Sequence, residues 1–162
     1  MHLVSVNRKI NKSANEVWQT LDNFRDVYKY HPHVKHSESI NEVPTGIGAE
    51  RTCHFEDGNK IKERIIGYEK GKEYTVDVFD NGSFPLKKAV GRLKVVSLNN
   101  NESEVLFSMS FQPKFGPIGW IMAQMMMKNQ FAKILSSVLE GLDKNLHSGE
   151  VISAKDIKKK AA

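Results

Sequence analysis

Two charged residues stand among apolar neighbours. Side chains two apart on a strand share a face, so Arg51 lies with Cys53 and Phe55, and Glu63 with Ile61 and Ile65. Between them Asp57-Gly58-Asn59 is a hairpin signal, which sets the two strands side by side. If both faces look inward, an arginine and a carboxylate meet inside an apolar interior, where an unpaired charge is costly. Two chemistries follow. Paired with Arg51, Glu63 stays charged and anchors a polar group of a bound molecule. Unpaired, its pKa rises above about 4.3 and it is poised as a general acid or base. The plainer alternative is a salt bridge at the strand ends with no ligand role.

Other reactive types offer less. His31-Pro32-His33 and His36 have a spacing that zinc accepts, but no carboxylate or thiolate partner lies at a matching distance in sequence, so they read as surface-loop residues. Cys53 and His54 are strand neighbours and point to opposite faces, which rules out a nucleophile–base pair; Cys53 reads as a small core residue. Met122, Met125, Met126 and Met127 sit at helical spacing. Methionine adapts to varied apolar partners, and Met122, Met125 and Met126 are expected to line a cavity. The glycine-rich phosphate loop, the dinucleotide fingerprint and the nucleophile-elbow sequence are all lacking. No catalytic residue is assigned unless Glu63 acts as one, and neither a metal nor a cofactor is expected.

These residues need a scaffold, and the chain is long enough to supply one. Its 162 residues fit a single domain, and 40% hydrophobic with 27% charged residues is ordinary for a folded protein. The formal charge of +5 comes from basic residues interleaved with 19 acidic ones. The one basic cluster is Lys155 with Lys158, Lys159 and Lys160 near the end, so nucleic acid is not an expected partner. One domain over residues 1–150 with a flexible basic tail over 151–162 is the expected organisation. A single cysteine allows no internal disulfide. The longest uncharged run, Phe115 to Met127, is 13 residues and holds two glycines and a proline, too short for stable membrane insertion. With no apolar block at the start, a cytoplasmic location is expected. No feature specifies an oligomeric state.

Residues 3–10 alternate as a strand. Ser13-Ala14-Asn15-Glu16 has the form of a capping box and opens a short helix through Phe24, with a second turn that His31-Pro32 ends. Strands at about 48–56, 60–69, 73–79, 86–98 and 103–113 are divided by turn residues. After Phe115-Gly116-Pro117 comes a breaker-free run to Gly141, read as one long amphipathic helix from near Pro117 to near Leu146. The fold class is therefore α+β: about seven antiparallel strands curved round a long C-terminal helix, with two short helices after the first strand. Alternation selects Val76, Val78, Leu93, Phe107, Met109 and Phe111 as inward. The loop Asn81–Leu86 reads as a gate, with Phe84 and Leu86 as its apolar lid.

That order of elements resembles the helix-grip fold of the SRPBCC or START-like superfamily, which includes polyketide cyclase-like proteins, the birch-pollen allergen family and plant abscisic-acid receptors. The resemblance is carried by Ala14-Asn15-Glu16-Val17-Trp18, Tyr30-His31-Pro32-His33-Val34, Gly48-Ala49-Glu50-Arg51, Glu63-Arg64-Ile65 and the strand Val105–Pro113. Tyr30 stands where many relatives carry tryptophan. The resemblance implies an internal cavity for a hydrophobic small molecule such as a lipid, isoprenoid or aromatic polyketide, with Tyr30, Arg51 and Glu63 among its wall residues. Binding or carriage is the implied function. The alternatives are a cyclase or dehydratase using Glu63 as acid/base with Arg51 orienting it, and a quinone-binding or chaperone-type interaction module.

Overall fold

The computed structural model describes residues 1–157. Strand β1 (His2–Ile10) leads into helix α1 (Ala14–Asp22), whose start is fixed by the expected capping box: the Glu16 amide donates to Ser13 Oγ, and the Ser13 amide to the Glu16 carboxylate. A 3₁₀ turn (Phe24–Lys29) then carries the chain to a six-strand meander. Its strands are β2 (Val34–Ser39), β3 (Glu50–Phe55), β4 (Lys60–Glu69), β5 (Glu73–Asp80), β6 (Leu86–Asn99) and β7 (Glu102–Pro113). All neighbours are antiparallel, and the spatial order is β1-β7-β6-β5-β4-β3-β2.

The sheet curves. Bulges interrupt the β4–β5 ladder at Lys62/Glu63 and at Ile65/Gly67, and bulges bend a strand and sharpen its twist. Across the concave face runs the C-terminal helix, composed of α2 (Gly116–Met122), a wide π turn (Ala123–Met127) and α3 (Lys128–Ser148). Alternation sorts the strand residues as expected. Val76, Val78, Leu93 and Phe111 are buried on the concave side, whereas Leu106, Ser108 and Ser110 line a shallow groove on the convex side with Leu3 and Arg92.

Two apolar clusters fill the space between sheet and helix. One packs α1 and the 3₁₀ turn against β4–β7 and α3, with Trp18, Phe24, Tyr74 and Leu142 among its members. The other joins Val4, Phe111, Ala123 and Leu135 at the opposite end.

The long helix departs from the expected phase. A uniform helical period put Met122 and Met125 on the inner face, but Gly119, Ala123, Leu135, Val138 and Leu142 are buried there, with Met127 and Phe131 partly so. From 119 to 135 the inward residues recur every fourth position. An α-helix would drift away from that spacing, and the π turn absorbs the difference.

The expected flexible tail from residue 151 is also corrected as far as residue 157. Ile152 is buried, its amide donates to the Lys29 carbonyl, and Ser153 and Asp156 cap a short 3₁₀ turn. Lys158, Lys159 and Lys160 lie outside the described residues.

Candidate functional site

Between the two clusters lies a cavity of about 130 Å³. Most of its wall is apolar: Val34, Phe55, Ile61, Val78, Leu93, Phe107 and Met109 from the sheet, Val27 from the 3₁₀ turn, and Phe131 and Val138 from the helix. A void of this order accommodates a single aromatic ring. At its rim are Asn81 and Phe84 from the β5–β6 loop and Leu86 from the start of β6, where tight backbone bonds (Phe84 amide to Asn81 carbonyl, Leu86 amide to Phe84 carbonyl) hold both apolar side chains toward the interior.

One part of the wall is polar. Arg51 and Glu63 are cross-strand partners on β3 and β4, and the register places them directly opposite. Arg51 Nε donates to Glu63 Oε2 at 2.6 Å and Nη1 donates to the Phe24 carbonyl at 2.7 Å; its guanidinium also stacks 3.9 Å over the Phe24 ring. The side chains are 7% and 13% exposed, so the pair is withdrawn from water and the ion pair is correspondingly strong. Burial opposes the Arg51 charge, but the Glu63 carboxylate prevails and holds its pKa above the ordinary guanidinium value.

Four further polar groups lie near the pair. Cys53 Sγ donates to the same Glu63 oxygen at 3.5 Å, and burial together with that carboxylate pushes its thiol pKa well up. Cys53 is therefore a protonated thiol and no nucleophile. Tyr30 and Tyr74 are fully buried beside each other, yet neither hydroxyl completes an aligned hydrogen bond. Burial raises both phenol pKa values. His31, expected on a surface loop, instead faces the cavity edge-on to Phe55, and burial, with His33 and Arg51 nearby, pushes its pKa down to about 3. It is neutral at physiological pH. The 3₁₀ turn and the Pro32 bend carry it inward, a tertiary effect that no local periodicity announces.

The residues expected as wall divide clearly. Tyr30, Arg51, Glu63, Val78, Phe84, Leu86, Leu93, Phe107 and Met109 line the cavity. Val76 and Phe111 face the same way but are packed into the two flanking clusters. Met122, Met125 and Met126 are misplaced: they are 47%, 72% and 66% exposed, rotated outward by the π turn. Sequence reasoning missed Phe131, Ile134, Leu135 and Val138 as wall residues; a four-residue step from Ala123 reaches Phe131 and Leu135, and the α-helical turn beyond the π turn adds Ile134 and Val138. The remaining histidines do not converge: His33 Nε2 lies 3.3 Å from Ser137 Oγ, while His36 and His54 share Glu38 on the outer sheet edge.

This cavity, walled by a gripping sheet and a long helix, agrees with a match of residues 1–147 to the family described as polyketide cyclase/dehydrase and lipid transport. The chain belongs to that family. No curated protein matches it significantly. Among solved structures, XoxI from Bacillus cereus is similar at 23% identity, covering 91% of this chain and 97% of its own, with a TM-score of 0.76. A START superfamily protein from Mycobacterium smegmatis aligns at 14% identity over 91% and 98% of the two chains, TM-score 0.74. Norcoclaurine synthase from Thalictrum flavum, in complex with a transition-state analogue, aligns at 13% identity over 91% and 95%, TM-score 0.70. At such identities the likeness is one of fold, and members of one fold carry out different tasks. Among the described residues, no helix is long and apolar enough to cross a membrane.

Proposed function

We propose that this protein binds a small, largely apolar molecule in the cavity, with one polar substituent of the ligand directed at the Arg51–Glu63 pair. The observation that carries the reading is the placement of that pair in an otherwise apolar wall, at 2.6 Å and nearly out of solvent. The Tyr30 hydroxyl supports it further: buried, with only the Tyr74 hydroxyl near and no aligned bond to it, it would gain from a ligand oxygen or nitrogen. The cavity size favours a ring or a short chain; a longer isoprenoid or lipid needs the β5–β6 loop to move aside.

Binding without turnover is favoured over a cyclase or dehydratase. Glu63 already accepts from Arg51 and Cys53, His31 is held neutral, and the Cys53 thiol is protonated. A general base needs a lone pair free to take the substrate proton, and Glu63 Oε2 is already engaged by Arg51 and Cys53. The test is solvent extraction of the purified protein followed by mass spectrometry of the extract. Recovery of a stoichiometric apolar metabolite supports the reading. An empty extract, combined with no displacement of an environment-sensitive apolar dye from the cavity, overturns it.

A further inference from the structure

The outward turn of the methionines leaves a conspicuous surface. Phe115, Ile118, Trp120, Ile121, Met125 and Met126 are 54–72% exposed, in one stretch of twelve residues. Large exposed apolar patches on soluble domains mark places where something else docks. Phe115 adds a second sign. It sits in the left-handed region at φ 72°, ψ 28°, a strained conformation for a bulky residue, with its ring in solvent. Folding gains no burial from this arrangement.

The charge around the patch identifies the occupant. From Val105 to Leu139 the chain contains no aspartate or glutamate, while Lys114, Lys128 and Lys133 fall inside that stretch. Lys87 joins them from β6, bordering a groove with Pro117 and Trp120. Among the described residues, none of these lysines forms an ion pair. Apolar side chains on a stretch whose only charges are lysines, with an indole among them, suit the boundary of an anionic lipid layer, where aromatic rings sit at headgroup depth and lysines meet phosphate. A second copy of this chain fits poorly: a two-fold contact would set the same lysines against each other with no carboxylate in the stretch to answer them.

We infer that the Phe115–Met127 surface docks on anionic membranes, lying in the interface without spanning it. The surface adjoins the cavity rim, since the Lys114 amide donates to the Pro85 carbonyl between the two lid residues Phe84 and Leu86. Docking therefore brings the lid against the apolar layer. This inference is independent of any ligand and is tested without one.

The experiment is co-sedimentation with phosphatidylcholine vesicles, with and without phosphatidylglycerol, reading protein in the pellet and tryptophan emission. Trp18 is buried, so its emission stays constant on docking and a blue shift reports Trp120. Binding is expected to the anionic vesicles only, to weaken as salt rises, and to be lost in Ile121→Glu/Met125→Glu, whose positions are exposed and whose folding is checked by its melting curve. Lys114→Glu/Lys128→Glu should weaken binding by roughly tenfold or more. Wild-type protein that stays in the supernatant at low salt, or that binds both vesicle types alike, overturns the inference. So does a solution dimer that Ile121→Glu dissociates.

Discussion

Gly141 in α3 lies directly against the backbone of Tyr30: a β-carbon built on Gly141 would stand 2.1 Å from the Tyr30 carbonyl oxygen and 3.4 Å from Pro32 Cδ. The long helix thus touches the 3₁₀ turn at a point where only hydrogen fits, and that contact presses Tyr30 and His31 into the cavity wall. Gly141→Ala should therefore destabilise the fold by about 1–3 kcal/mol, despite alanine's better helix propensity. Urea denaturation checks this. A more stable Gly141→Ala protein would show that the helix stands off the turn.

Removing one partner of the buried pair should be worse than altering it. Arg51→Met leaves Glu63 charged and unpaired, with an expected loss of about 3–5 kcal/mol in stability. Glu63→Gln keeps the shape and a hydrogen-bond acceptor, and should weaken the binding of a polar-headed ligand by about 1–3 kcal/mol. Calorimetric titration with the extracted ligand measures the second effect. Denaturation measures the first.

His31 gives a pH dependence with a definite sign. Its folded pKa, about 3, lies below the ordinary 6.5, so the unfolded chain binds the extra proton. The stability this residue contributes is complete above pH 6.5 and is lost as pH falls from there toward 3. Replacing it with phenylalanine should flatten the acid limb of stability against pH relative to wild type. An unchanged slope, or an NMR titration of His31 near 6.5, would contradict its inward placement against Phe55.

Filling the cavity should separate binding from folding. Ala89 is buried on β6 and its side chain reaches the cavity. Ala89→Leu should abolish or strongly weaken binding of an apolar dye, while changing stability by less than about 1.5 kcal/mol as the void fills. Dye titration alongside thermal melting distinguishes this from general unfolding.

Much of this was legible in the residue order. Period-two alternation oriented β5, β6 and β7 correctly, turn residues divided the meander, and the hairpin at Asp57-Gly58 put Arg51 opposite Glu63. What escaped were features set by contacts distant in sequence. His31 is drawn inward by the turn that packs on α3, and Ile152 is held by a backbone bond to Lys29, which the basic composition of its neighbours conceals. The methionine stripe failed for a different reason: the sequence pattern was helical, but the helix changed its period at Ala123–Met127.

That change of period divides the helix surface in two. A π turn is what a single inserted residue produces when the helix on either side refuses to unwind. It uncouples two surfaces that one regular helix would have tied together. Residues 131–138 keep their register against the sheet, while Ile118, Trp120, Ile121, Met125 and Met126 turn away from it.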